Sequence, residues 1–282
     1  MKRTRKQQAL IYVGVLAVLV FTLAPIFLLI MATFSSSSDL NARTLHFFPS
    51  NWTLDNYLSI FSGEASDGSL PPFLTALKNS LVISLSTTLL SLFIGVFAAY
   101  AYARFRFRGE KPLLVSVLGF RMVPEIVLLI PLYVIFARLE MINQRSALVL
   151  IYTALNLPFV IWMLQGYFKS IPVAIEESAL IDGVSRLGIL FRFVLPLSIP
   201  GVVATAIYVF LISWDEFMFA NIFTSTYDAK TITVAISEFS KRGMVDFGMQ
   251  ITGGFLASIP PILLALFFQK YIINGLSEGS DK

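Results

Sequence analysis

Six long apolar runs divide this chain, and polar segments of unequal length separate them. They cover residues 9–34, 74–103, 112–137, 147–168, 197–220 and 255–274. An α-helix rises 1.5 Å per residue, so a bilayer core of about 30 Å takes about 20 apolar residues. Every run meets that length. Barrel strands would show short segments of alternating polarity instead, and a helix satisfies its own backbone hydrogen bonds in lipid. The pattern therefore predicts an all-α membrane protein with six transmembrane helices. Lys2, Arg3, Arg5 and Lys6 precede the first run in the charge order of a signal peptide. That run is too long for one and lacks a small-residue cleavage site, so it reads as a retained anchor.

The polar segments then acquire sides. With the N-terminus inside, inner segments hold thirteen of the 21 basic residues, including Arg104, Arg106, Arg108, Lys169, Arg186 and Arg192. Outer segments hold seven: Arg43, Lys78, Arg138, Arg145, Lys230, Lys241 and Arg242. Arg121 falls within a span. Basic residues favour the cytoplasmic side, which places both termini inside. The organisation that follows is a cytoplasmic N-terminus (1–8), a first span (9–34) and an outer loop (35–73). A core membrane domain (74–274) comes next, with an inner loop at 169–196 and an outer loop at 221–254, and then a cytoplasmic tail (275–282). In the first outer loop Thr53 is placed to cap a short amphipathic helix, with Trp52, Tyr57 and Phe61 at the membrane surface.

Composition narrows the chemistry. Hydrophobic residues make up 56% and charged residues 13%, against about 25% charged in soluble domains. The net charge of +4 reflects basic membrane edges and not nucleic-acid binding. The absence of cysteine excludes disulfides and thiolate metal sites. The single histidine, His46, lies in an outer loop. No Gly-x-x-x-x-Gly-Lys-Ser/Thr, HExxH or GxSxG motif occurs, so no nucleotide, metal or catalytic site is expected in this chain.

The inner loop is the most structured polar segment. Ile171-Pro172 stops the fourth span, and Glu176 and Glu177 fall in the first turn of a helix, where the dipole favours acids. Asp182-Gly183 ends that helix, glycine supplying positive φ. Ser185 caps a second helix, and Leu195-Pro196 opens the fifth span. Ala179, Leu180, Leu187 and Leu190 are placed for docking a soluble partner. A passive amphipathic connector accounts equally well for the periodicity.

Glu177-Ser178-Ala179, Gly183 and Phe193-Val194-Leu195-Pro196 resemble the EAA loop of permease subunits of bacterial ABC importers. The family pattern is Glu-Ala-Ala, three residues, Gly, nine residues, then Ile-x-Leu-Pro. Ser178 replaces Ala and Phe193 replaces Ile. Ala98–Arg104, Pro131-Leu132-Tyr133, Leu157-Pro158-Phe159 with Trp162, Ser213–Phe217 and Gly275-Leu276 extend the resemblance to the smaller permease of maltose-type carbohydrate importers. The resemblance implies the type I importer permease fold and residence in the bacterial cytoplasmic membrane. It also implies an ATPase-coupling role for Glu176, Glu177, Ser178, Ala179, Asp182, Gly183, Leu187, Leu195 and Pro196. The implied partners are a second homologous permease, two ATPase subunits that bind ATP and Mg, an extracytoplasmic solute-binding protein and membrane lipid. The expected cargo is a sugar, oligosaccharide or related polyol.

Ionisable residues inside spans are costly unless paired or wetted. Arg121 and Glu125, four apart, would share a helix face and can pair. With Tyr208, Trp214, Asp215 and Glu216 they are candidates for the substrate path, carboxylates accepting sugar hydroxyls and Trp214 or Tyr208 stacking on a sugar face. The same residues also suit an interhelical polar clamp or the contact with the second permease, placed so that no charge faces lipid. The rival function class is an ion-coupled secondary transporter that uses Arg121, Glu125, Asp215 and Glu216 as a relay.

Overall fold

A computed structural model describes residues 5–42, 47–62, 72–239 and 246–277. Lys2, Arg3, Arg43, His46, Lys241, Arg242 and Lys282 lie outside the described residues. The described chain is helical: α1 (Arg5–Thr33), α2 (Ser37–Leu40), α3 (Asp55–Ser62), α4 (Pro72–Arg104), α5 (Glu110–Gly119), α6 (Glu125–Arg138) and α7 (Arg145–Ser170). It continues through α8 (Val173–Ile181), α9 (Arg186–Ile189), α10 (Leu195–Leu197), α11 (Ile199–Asp215), α12 (Met218–Phe223), α13 (Ile232–Glu238) and α14 (Phe247–Ser277). Among the described residues, α1, α4, α7 and α14 are each long and apolar enough to cross a membrane unaided. Two bent pairs bring the number of spans to as many as six.

The third and fifth apolar runs are each broken into a bent pair of helices. In the third, α5 and a 3-10 turn at Phe120–Met122 meet α6 at 95°. Pro124 has no N–H and forces the residue before it out of the helical region; Val123 is accordingly extended, at φ −72° and ψ 122°. In the fifth, the helical stretch Arg186–Leu197 meets α11 at 80°. Leu195-Pro196 does not open this span but closes the helical stretch before it. The residues Leu190–Val194 form a π turn, the Leu195 N–H reaching Leu190 O five residues back. Such a widened turn accommodates Pro196, which can give no i→i−4 bond. The break falls at Ser198, and Pro200 occupies the first turn of α11, where its missing donor costs nothing.

One compact unit comprises residues 1–74 and 235–259. Within it the end of α1 is fastened by α3: Asn56 Nδ2 donates to Thr33 O and Ser35 O, both at 3.0 Å. Tyr57 Oη donates to Thr33 Oγ1 at 2.8 Å. Gly248 faces the Asn56 side chain so closely that a Cβ there would collide with it. Thr53 Oγ1 accepts the Asp55 N–H at 3.1 Å, at the start of the expected short helix. Trp52 and Phe61 are exposed, whereas Tyr57 turns inward onto Phe34.

The second unit comprises residues 75–234 and 260–282. Here α4, α7 and α11 form the centre. Gly95 of α4 lets Val160 of α7 approach to where a β-carbon would overlap it, and Gly201 of α11 meets the Tyr167 ring in the same way. Small residues at such contacts let helices pack without a hydrophobic driving force. Asn79, Ser80, Ser84, Thr87 and Thr88, the polar side of the second span, are all buried. Asn79 Nδ2 donates to Tyr227 O and Lys230 O, and Ser80 Oγ accepts the Ile232 N–H. A buried cluster joins Val96, Ala99, Tyr100, Val160, Leu164 and Phe168 to Ala179, Ile189, Leu190 and Val194. This cluster supports the segment between α7 and α11.

Candidate functional site

The segment from α8 through α9 is a helix–turn–helix built on one glycine. Gly183 has φ +76°, a left-handed conformation that costs other L-residues roughly 1–2 kcal/mol. It is the C′ residue of a Schellman ending: Gly183 N–H donates to Leu180 O and Val184 N–H to Ala179 O, both at 3.0 Å. Ser185 then caps α9, its Oγ accepting the Gly188 N–H at 3.2 Å. The expected turn and cap are therefore present in the expected order.

The two faces of this segment have separate jobs. Ala179, Ile189, Leu190 and Val194 enter the buried cluster, so Ala179 and Leu190, expected on a docking surface, support the segment from beneath. Glu177, Ser178, Asp182, Gly183 and Leu187 are exposed, as is Pro196, with Leu195 half-buried. Ile181, missed from the sequence, is 87% exposed. The signal was available: Ile181 lies four residues after Glu177 and so shares its helix face. A β-carbon on Gly183 would meet nothing within 4 Å among the described residues. The exposed face thus combines two acids, a bare glycine turn and two apolar side chains.

Glu176 belongs to the other face. It is 1% exposed and forms an ion pair with Arg104 at the end of α4. Its second oxygen accepts from Tyr100 Oη at 2.9 Å. Arg104 Nη2 also donates to Phe168 O at 2.7 Å and Ile171 O at 3.0 Å, carbonyls at the C-terminal end of α7. Glu176, expected to take part in coupling, is therefore not part of the exposed face, and Arg104 is more than the orientation determinant its position suggested.

The intramembrane candidates sort in a similar way. The 95° bend separates Arg121 from Glu125, so they do not share a helix face and form no ion pair among the described residues. Arg121 instead lies over the Phe159 ring at 5.7 Å and donates to Tyr208 Oη at 3.3 Å. Phe159 and Tyr208 stack with centroids 3.8 Å apart, and Phe159 also contacts Trp162 at 6.0 Å. Phe159 was quoted in the sequence only as part of a motif; its role as a platform needs the fold. Trp214 is buried at 2% exposure, stacked on Phe210, so it offers no face to a solute here. Glu216 caps α12, its oxygens accepting the Phe219 N–H at 2.7 Å and the Ala220 N–H at 3.1 Å, and it bonds Tyr152 Oη. That is a structural clamp at the break after α11. Asp215 remains exposed. No group of three or more His, Cys, Asp or Glu among the described residues is arranged to hold a metal.

The described chain is thus a helical core with two bent helix pairs and a helix–turn–helix between α7 and α11. The chain belongs to the family of binding-protein-dependent transport system inner membrane components, whose pattern it matches over residues 91–278. It is 35% identical over 277 residues to the trehalose/maltose transport system permease protein MalG of Thermococcus litoralis, covering 98% of this chain and 97% of that one. It is 31% identical over 273 residues to the inner membrane ABC transporter permease protein YcjP of Escherichia coli, covering 96% and 95%. The fold superposes on a chain of a bacterial ABC transporter that imports the acidic polysaccharide alginate, with a TM-score of 0.75 and 18% identity, covering 96% and 99%. The protein is thus a multi-pass inner-membrane permease subunit.

Proposed function

We propose that this permease imports a sugar, an oligosaccharide or a related polyol, driven by ATP hydrolysis in separate subunits. The relatives named for trehalose and maltose, and one named for sulfoquinovosyl glycerol at 32% identity, support the carbohydrate class. In this reading the chain pairs with a second homologous permease, two ATPase subunits dock on the cytoplasmic face, and a solute-binding protein delivers cargo outside. ATP and Mg are held by the ATPase subunits.

The observation that carries the coupling role is the exposed face of α8 and its turn, Glu177, Ile181, Gly183 and Leu187, standing on a buried foundation. Apolar side chains beside the exposed acids Glu177 and Asp182 at a glycine turn suit insertion into a cleft of a soluble subunit. Conformational change in the ATPase pair would then move this segment and, through its buried side, the spans. Along the path, the Phe159–Tyr208 stack offers an aromatic face, with Arg121 beside it to donate hydrogen bonds to hydroxyls. Arg121 carries no carboxylate partner among the described residues, and an unpaired cation within a span belongs in a water-lined path or against a partner.

The test is co-purification. The chain, expressed with the other subunits of its transport system, should bring down an ATPase from detergent-solubilised membranes. Glu177→Lys combined with Ile181→Ser should abolish that association while leaving the permease inserted. An ATPase retained at wild-type yield by the double variant would remove the coupling assignment.

A further inference from the structure

The coupling segment is held to the membrane helices by a charged node with no counterpart elsewhere among the described residues. Arg104–Glu176 is the ion pair found there, and both side chains are buried, at 6% and 1% exposure. The node is held by four hydrogen bonds. Arg104 binds the carboxylate of α8 with Nε and two end carbonyls of α7 with Nη2. Tyr100, one turn back on α4, takes the other carboxylate oxygen. The second helix of the segment is tied to the same place: the Arg186 guanidinium lies 5.8 Å from the centre of the Phe105 ring, and Phe105 packs edge-on against Tyr100 at 5.9 Å.

A buried ion pair is weak evidence for stability, because desolvation offsets much of its attraction; its better-attested use is to fix one arrangement among several. Here the arrangement fixed is the angle of the coupling helix to α4 and α7. Apolar contacts alone, such as Ala179 in the buried cluster, allow sliding. A guanidinium fork with three acceptors on two elements does not, since each bond is directional. The adjacent acids therefore divide their work: Glu177 faces outward and Glu176 inward.

Resting on the importer reading above, we propose that Arg104 and Glu176, with Tyr100, are positioning residues that make α8 and the cytoplasmic ends of α4 and α7 move as one body. A push on the exposed face of α8 is then delivered to the spans instead of being absorbed in the loop.

The chain has no cysteine, which makes paired spin labels direct. Cysteines at Ile175 on α8, off the Glu177–Ile181 face, and Phe93 on the Arg104 half of α4, both exposed, would carry the labels in the complete complex with its ATPase. In the otherwise wild-type protein their distance should stay narrow and unchanged between the nucleotide-free complex and the complex trapped with ATP and vanadate. In Glu176→Gln the distribution should broaden and shift on trapping. Tyr100→Phe, which spares the ion pair, should do the same to a smaller extent and decides the matter if Glu176→Gln fails to assemble. Arg104→Lys keeps the charge but loses the fork, and should fall with Glu176→Gln. Variants whose distances match the wild type in both states would overturn the proposal, as would a wild-type distance that changes on trapping. Failure of the wild-type chain to associate with any ATPase would instead refute the importer reading.

Discussion

Replacing Gly183 separates backbone strain from partner contact. The residue has φ +76° and open space around its β-position, so Gly183→Ala meets no clash within this chain. Its cost is the left-handed conformation, roughly 1–2 kcal/mol, which corresponds to a factor of about 5–30 in the population of the native turn. Asparagine tolerates that region far better, so Gly183→Asn should keep most of the turn. Leucine pays about the same backbone cost as alanine but adds bulk to a face proposed to enter a partner cleft. ATP-dependent solute uptake by proteoliposomes holding the full complex, compared with the amount of permease inserted, gives the readout. The expected order is wild type, then Asn, then Ala, with Leu inactive and all four inserted. Equal activity for Ala and Leu would refute the partner contact. Wild-type activity for Ala would refute the assigned strain.

Other substitutions test the framework beneath. Gly95→Ala forces a methyl group into Val160 and should destabilise by about 1–3 kcal/mol, the usual range for overpacking; adding Val160→Ala should recover part of the loss in a thermal-unfolding measurement. Tyr152→Phe removes a donor to the Glu216 carboxylate and should cost roughly 1.5–3 kcal/mol, the value of a hydrogen bond to a charged group, measured the same way. Ser185→Ala removes the cap of α9 and should cost about 1 kcal/mol, read as faster proteolytic nicking of the cytoplasmic segment.

The parts of this molecule legible in the sequence are those set by local chemistry. A continuous apolar run implies a span in any context, and Asp182-Gly183-Val184-Ser185 implies a helix end followed by a cap. The breaks at Pro124 and Ser198 were less legible, because proline inside an apolar run is as compatible with a gentle kink as with a bend of 80° or 95°. The site divided on the same principle. Glu177 faces outward as the motif implies, but the burial of its neighbour Glu176 depends on Arg104, which lies 72 residues earlier. Trp214 and Glu216 read as path residues because a polar group in a span draws suspicion. Their actual partners, Phe210 and Tyr152, are ordinary core residues with no signal of their own. Phe159 became conspicuous only when Arg121 and Tyr208 were found against it.

The most direct test of the central claim is uptake by proteoliposomes containing this chain, its companion permease and its ATPase, supplied with the loaded solute-binding protein and labelled trehalose or maltose. The account predicts uptake that requires ATP inside the energised compartment, requires the binding protein, and persists when the membrane potential and proton gradient are collapsed. Uptake that follows the proton gradient and ignores ATP would contradict it and favour an ion-coupled carrier.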